Sequence, residues 1–241
     1  MSVNPTGSAP PRSDYGRLLA DACLSLVGSP DTYEPPPGYD GLALALMDAL
    51  WSMGVRYAGV NNVVRRYSTW VEETHGTSAQ LRTASQLLSD ISLAGGPKRF
   101  ATEVVRNSQR TSSRNGVLKV EAVEAACSAL GRLGIDTPKD LRERWTEPEV
   151  KKTWLAIKGQ RSGISWRYLL MNVRLEDVKP DRMIVRFVAE ATGGPELSAE
   201  ESRSAILAAF SILAERSQGL TLRGLDHAIW RYQKGKKSSA K

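Results

Sequence analysis

Apolar residues recur along most of the chain at intervals of three and four, the spacing that places them on one face of an α-helix. Alternation of apolar and polar residues, the pattern of a half-buried strand, reaches no useful length, and no internal repeat is present. Glycines, prolines and short polar stretches divide the chain into about ten helical segments. The pattern predicts an all-α protein.

The most apolar segment, residues 39–53, carries apolar side chains nearly all round, so we expect it at the centre of a core. It follows a linker at residues 29–38 that contains four prolines. Before the linker, residues 14–27 are predicted to form a first helix. Residues 1–13, rich in serine, proline and glycine, are predicted to be disordered.

Charge is distributed unevenly along the 241 residues, which carry a formal net charge of +7. Residues 1–100 have a net charge of −1 and residues 101–241 a net charge of +8. A basic half of this kind fits a phosphate-binding surface. The alternative is an ordinary domain with a basic tail. For a basic loop at residues 107–116, predicted to be mobile, the two alternatives are phosphate binding and a plain surface loop.

The cysteines and histidines indicate the compartment and limit the metal chemistry. Cys23 and Cys127 lie in apolar helical runs, which predicts that both are buried free thiols of a protein in the reducing cytosol. Two cysteines are too few for an iron–sulfur cluster, and His75 and His227 lack zinc-ligand spacing. No stretch approaches eighteen apolar residues. We expect a cytoplasmic protein without a metal, neither exported nor membrane-spanning.

The most informative stretch begins where two apolar helical runs flank a glycine-containing turn. The turn reads Ile157-Lys158-Gly159-Gln160-Arg161-Ser162-Gly163, and a helix from Ile164 to Met171 follows it. A further helix is predicted to begin at Asp181, directly after Pro180.

This stretch resembles the helix-hairpin-helix and aspartate segment of the HhH-GPD DNA glycosylase superfamily, which includes endonuclease III, the adenine glycosylase and the alkyladenine glycosylases. The turn and the segment Val178–Arg186 align with the family pattern without a gap. Two positions depart from it, since Arg161 replaces the second hairpin glycine and Ser165 stands where a small alanine is usual. Gly163 falls where the bifunctional members keep a lysine.

The resemblance covers roughly residues 38–190 and implies a bilobal helix-hairpin-helix glycosylase-like fold. One lobe would be a helical barrel of residues 34–173. The other would combine residues 14–33 with residues 174–232, and a basic tail of residues 233–241 would follow. The resemblance also implies that DNA binding and catalysis take place in a cleft between the lobes.

The resemblance assigns roles to particular residues. Asp181 would stabilise an oxocarbenium-like state of the deoxyribose and activate water. Backbone groups of the turn would bind phosphate, and its carbonyls would be able to hold a monovalent cation. The DNA-binding candidates are Lys158, Gly159, Gln160, Arg161, Ser162 and Gly163. Candidates for a wedge or pocket wall are Trp51, Met53, Tyr57 and Trp166, for which core packing is the alternative.

The implied function is that of a monofunctional DNA glycosylase, because Gly163 offers no amine for a Schiff base. It would act as a monomer on double-stranded DNA, without a cofactor, after flipping a damaged or modified base out of the duplex. Two alternatives stay open. One is a non-catalytic DNA-binding protein that recognises distorted duplex, with Asp181 as a plain helix cap. The other is an all-α interaction protein whose hairpin resemblance is accidental.

Overall fold

A computed structural model describes residues 12–53 and 57–239, and within them it confirms the all-α class. Twelve α-helices and no strand are present in that part of the chain, with one isolated antiparallel bridge between Arg110 and Leu118. The helices are α1 (Tyr15–Ala22), α2 (Leu42–Trp51), α3 (Tyr57–His75), α4 (Ala84–Leu93), α5 (Pro97–Arg99), α6 (Lys119–Arg132), α7 (Pro138–Arg144), α8 (Pro148–Ala156), α9 (Ile164–Asn172), α10 (Arg182–Thr192), α11 (Ala199–Ala214) and α12 (Leu222–Ser239).

The chain divides into two compact units. One, the terminal unit, combines the residues up to Pro36 with those from Glu176 onward. The other, the central unit, is the continuous segment Pro37–Leu175. The lobe boundaries implied by the resemblance fall at residues 33/34 and 173/174. Of the segment 1–13 predicted to be disordered, residues 1–11 lie outside the described part, and Arg12 begins a 3-10 turn.

The central unit is built around α2, all ten residues of which are buried. Four helices, α3, α4, α6 and α9, pack against it. Asp48 is the one charged residue of α2, and both its oxygens accept hydrogen bonds, from Tyr39 Oη at 2.8 Å and from Ser52 Oγ at 3.0 Å. Asn172, at the end of α9, donates to Ala45 O at 3.1 Å. The buried carboxylate of Asp48 is therefore paired, as burial requires, whereas the indole N–H of Trp51 has no hydrogen-bond partner among the described residues.

A buried carboxylate joins α3 to α4 in the same unit. Asp90 accepts from Tyr67 Oη at 2.6 Å and from Arg82 Nε at 3.1 Å, and His75 Nε2 lies 2.9 Å from its other oxygen. Burial and the hydrogen bond to Asp90 raise the pKa of Tyr67 above its usual range. Because the carboxylate has three partners, its loss of hydration is offset inside the core.

The terminal unit has a core of its own, to which helices from both of its chain segments contribute. Helix α1 packs on α11 so closely that a Cβ at Gly16 would lie 2.8 Å from Ala208 Cβ. Helices α10 and α12 complete the unit with Phe187 and Ile229, both fully buried. Cys23, just after α1, is also in this core, and burial raises its pKa to about 12. Its thiol is therefore protonated and unreactive at neutral pH.

The segment predicted as a basic tail, residues 233–241, is helical as far as Ser239, because α12 continues to that residue. The last turns of α12, after Tyr232, interact with α10. Gln233 Nε2 donates to Glu190 Oε2 at 2.9 Å, and Lys236 pairs with the same carboxylate. The ammonium of Lys236 also lies 4.7 Å from the centre of the Tyr232 ring. None of the helices in the described part of the chain combines the length and apolar character needed to cross a membrane.

The Gly16–Ala208 approach predicts opposite effects for the same substitution at two helical glycines. Gly16→Ala should lower the free energy of unfolding by about 1–3 kcal/mol, because the new methyl group overpacks the α1–α11 contact. Gly131→Ala on α6 should raise it by up to about 1 kcal/mol, because nothing lies within 4 Å of that site and alanine favours the helix. Urea unfolding measures both. Equal effects would contradict the α1–α11 packing.

Candidate functional site

The hairpin between α8 and α9 consists of two successive tight turns. Gln160 N donates to Ile157 O at 3.0 Å, and Gly163 N donates to Gln160 O at 3.1 Å. Gly159 has φ +93° and Gly163 has φ +74°, so both occupy the left-handed region that favours glycine. These backbone angles explain why glycine stands at both positions.

Arg161, between the two glycines, does not disturb this backbone. Among the described residues, the non-glycine residues with positive φ are Arg106, Asn115 and Arg174. Arg161 is not one of them. Its side chain is exposed, so the replacement adds a cation to the surface of the turn without backbone strain.

Ser165, the other departure, links the two hairpin helices. Trp154 Nε1 on α8 donates to Ser165 Oγ on α9 at 3.1 Å, and both residues are fully buried. The Trp154 and Trp166 rings pack with their centres 6.0 Å apart. An alanine at position 165 would leave the buried indole N–H without this acceptor, which typically costs about 1–3 kcal/mol. The serine hydroxyl is therefore explained by the tryptophan opposite it.

The turn presents a polar, cationic surface. Lys158, Gly159, Arg161 and Ser162 are exposed. Gly163 is the N-cap of α9 and provides no side-chain cap, so the first N–H groups of that helix have no acceptor within the helix. N–H groups at a helix start suit an anion.

Gln160, by contrast, is only 2% exposed, and its Oε1 has no hydrogen-bond partner among the described residues. Its side chain is therefore not available at the surface for a DNA contact. Only the backbone of Gln160 remains a candidate for binding DNA.

The basic loop at residues 107–116 lies against the turn. A Cβ built on Gly159 would come within 2.5 Å of Thr111 Cβ and 2.8 Å of Thr111 Oγ1. The fold itself therefore requires glycine at position 159, and a larger residue there would disturb packing before it tested any ligand. Lys158, which is exposed, is the appropriate position for testing the turn.

Two of the wedge and pocket candidates are core residues. Trp51 is 1% exposed and Trp166 is 2% exposed, which favours the alternative of core packing, since a wedge must reach the DNA. Met53 is half-buried, and its carbonyl accepts from Lys119 Nζ at 2.8 Å. The side chain of Tyr57 lies outside the described residues.

Lys119 is a residue that no sequence pattern singled out. Its ammonium also donates to Trp51 O at 2.9 Å, so it binds the carbonyls at the C-terminal end of α2. Burial lowers the pKa of Lys119 to about 8. These two hydrogen bonds hold the backbone in place where the chain leaves α2.

Asp181 is the N-cap of α10 and belongs to the terminal unit, whereas the hairpin turn belongs to the central unit. Its Oδ1 accepts from Met183 N at 2.8 Å and from Ile184 N at 3.3 Å, and the residue is half-buried. These bonds hold the carboxylate in one orientation at the positive end of the α10 dipole.

A buried ion pair supports the segment that leads into Asp181. Asp226 on α12 is fully buried, and its Oδ1 accepts from Lys179 N at 3.1 Å. Lys179 Nζ lies 2.8 Å from Asp226 Oδ2, an ion pair without the angle of a hydrogen bond. Asp181 N donates to Lys179 O at 2.7 Å. Asp226 thus holds Lys179 by side chain and backbone, and Lys179 in turn holds the backbone of Asp181.

The charges of these three residues act on one another. Burial raises the pKa of Asp226, Lys179 opposes that rise, and the carboxylate of Asp181 adds to it. His227, the next residue on α12, donates from Nδ1 to Glu34 O across 3.1 Å, and burial lowers its pKa. No group of three or more histidine, cysteine or carboxylate side chains in the described ranges could hold a metal ion.

The chain belongs to the family described as Domain of unknown function (DUF8548), whose model matches residues 17–234. That match spans helices of both units. No curated protein and no solved structure matches the chain.

The Lys179–Asp226 pair predicts a pH-dependent mutational effect. Lys179→Met leaves a buried carboxyl without its cation, so the folded-state pKa of Asp226 should rise further above its unfolded value. The folded state then binds more protons than the unfolded chain, and stability falls as pH rises. The loss should be about 3–5 kcal/mol at pH 8 and clearly smaller at pH 5, measured by urea unfolding.

Asp226→Asn is the matched control for that pH effect. It removes the titrating group, and the Lys179 side chain, 13% exposed, can extend towards solvent. Because the folded-state pKa of Asp226 is raised in the wild type, its contribution to stability declines as pH rises, so the loss in Asp226→Asn should be smaller at pH 8 than at pH 5. This trend is opposite to that expected for Lys179→Met, and a Lys179→Met loss that does not grow with pH would contradict the buried-pair interpretation.

Proposed function

We propose that the protein is a monofunctional DNA glycosylase that flips a damaged or modified base out of duplex DNA and hydrolyses its N-glycosidic bond. We further propose that it works as a monomer in the cytosol, without a resident cofactor. The observation that carries the proposal is a cationic glycine turn between two helices combined with Asp181 at the start of α10, in the order and spacing of the HhH-GPD superfamily.

The turn would bind the DNA backbone. Exposed Lys158 and Arg161 supply positive charge, and the N–H groups at the start of α9 supply directional donors. Contacts of this kind fix a duplex in position but carry no sequence information. Carbonyl oxygens of the two tight turns are the groups that would hold a monovalent cation there.

Asp181 would act on the sugar. As the C1′–N bond lengthens, its electron pair leaves with the base and positive charge develops on the deoxyribose. A carboxylate close to C1′ stabilises that charge and accepts a proton from the attacking water, whose oxygen becomes the new substituent of C1′. The departing base takes up a proton, and an abasic site remains.

The capping bonds are compatible with this role. Two backbone N–H groups, those of Met183 and Ile184, fix Asp181 Oδ1 in place. Lys179 and Asp226 restrain the residue from the preceding side. A carboxylate held in this way needs little reorganisation in the transition state, which is where preorganised charge contributes most.

A non-catalytic protein that recognises distorted duplex is the second candidate, and one observation favours it. Asp181 has a sufficient structural role as the α10 cap, so its presence can be explained without chemistry. The two candidates share the DNA-binding turn and differ in whether the charge of Asp181 matters.

Substitutions that keep the cap but remove the charge separate the two candidates. Asparagine and serine both cap helices well, so Asp181→Asn and Asp181→Ser should leave stability within about 0.5 kcal/mol. Excision should fall about 10²–10³-fold in both, the typical effect of losing one preorganised electrostatic group. The assay is a panel of duplexes carrying uracil, hypoxanthine, alkylated, oxidised and mismatched bases, scored for strand breaks after alkali.

Asp181→Ala completes the series, because it removes the cap together with the charge. It should lose about 1 kcal/mol of stability and excise as poorly as the other two variants. Excision at the wild-type level in Asp181→Asn would reduce Asp181 to a cap. Absence of base release by the wild-type protein on every duplex, with binding retained, would favour the non-catalytic candidate.

The identity of residue 163 predicts the course of the reaction. A glycine there supplies no amine to attack C1′, so borohydride should trap no covalent protein–DNA adduct. Strand cleavage should appear only after alkali treatment. A trapped adduct that maps to Lys158 or Lys179 would overturn the monofunctional part of the proposal.

A further inference from the structure

The loop that precedes α6 folds back on itself as a small, internally bonded hairpin. Thr111 N donates to Val117 O at 2.8 Å, and Val117 N donates to Thr111 Oγ1 at 3.2 Å. Arg110 Nε donates to Gly116 O at 2.9 Å. These internal bonds give the tip of the loop a defined conformation.

The tip of this loop, Ser112–Asn115, is exposed at all four positions. Ser112 Oγ donates to Arg114 O at 2.6 Å, and Asn115 adopts φ +54°. Gly116 completes the turn because its Cα packs against the Ser112 backbone, leaving no room for a side chain. Hydroxyl groups, an amide and the guanidinium of Arg114 are therefore presented together to solvent.

Thr111 carries this tip directly beside the α8–α9 turn. It is the residue against which Gly159 packs, and a four-residue turn keeps its ends within about 7 Å of each other. Neither segment, residues 106–118 or residues 157–167, contains an aspartate or a glutamate. The two segments thus form one continuous surface on the central unit whose charged side chains are all cationic.

We infer that the tip Ser112–Asn115 is a second phosphate-binding element, which extends the footprint of the α8–α9 turn along the DNA backbone. This inference rests on the proposed function only in that the ligand is duplex DNA. Arg114 binds one phosphate through its guanidinium, with the Ser112 and Ser113 hydroxyls beside it. The turn, through Lys158, Arg161 and the α9 N–H groups, binds a neighbouring phosphate. Because Thr111 and Gly159 are in contact, the spacing between the two elements is fixed before DNA arrives.

Binding to a lesion-free duplex at several salt concentrations tests the inference. Arg114→Ala should reduce the slope of log K against log salt concentration by about one and weaken binding about tenfold near 0.1 M salt. Lys158→Ala should have a similar effect, and the double variant should reduce the slope by about two. Arg132→Ala is the matched control. Arg132 is an exposed arginine on α6 of the same unit but outside both segments, and its loss should leave the slope unchanged.

Amide hydrogen exchange separates contact at the tip from a general effect of charge. In the wild-type protein, duplex should slow exchange both at the tip Ser112–Asn115 and at the α8–α9 turn. In Arg114→Ala, duplex should still slow exchange at the turn but should slow it less at the tip. If Lys158→Ala weakens binding while Arg114→Ala behaves like Arg132→Ala, the loop is not a phosphate element, and the turn and the proposed function stand. If the wild-type protein shows no salt-dependent binding to duplex, both the inference and the proposed function are overturned.

Discussion

The complete burial of α2 is the constraint on which the central unit depends. A helix that exposes no side chain must be covered on every side, so α3, α4, α6 and α9 are positioned by the need to enclose it. Each fully buried leucine of α2 contributes about 1.5–3 kcal/mol of transfer free energy. Because α9 is also the second helix of the hairpin, the packing that buries α2 sets where the α8–α9 turn lies.

The two candidate elements owe their geometry to different kinds of interaction. The turn depends on packing, with Trp154 bonded to Ser165 and with Thr111 seated on Gly159. The start of α10 depends on charge, since Asp226 holds Lys179 and the α10 N–H groups hold Asp181. The turn should therefore tolerate changes of pH better than the α10 start, where protonation of a buried carboxyl alters the balance of charges.

Helix positions were largely predictable from the sequence, because apolar periodicity, prolines and glycines report on local structure. The C-terminal boundary of α12 was not, since its last turns are accompanied by contacts of Gln233 and Lys236 with Glu190 on another helix. The same limit applied to the candidate site. Lys158 and Asp181 could be found from a linear motif, whereas Asp226 and Thr111 matter through partners far away in the chain. The available signal was a carboxylate on a helix beside the apolar residues Leu225, Ala228 and Ile229, and it indicates burial without identifying the partner.

The terminal unit assembles from two segments that the ribosome makes at different times. Helix α1 emerges early with an apolar face that is covered by α11, and α11 is synthesised only after the whole central unit. At about 5–20 residues per second, the wait is on the order of 10–40 s. During that time α1, with Leu19 on its buried face, lacks its partner helix α11, and the central unit is completed before α11 is made. The nascent chain therefore exposes the apolar face of α1 until α11 has been made, and shielding of that face in the interval protects the chain from aggregation.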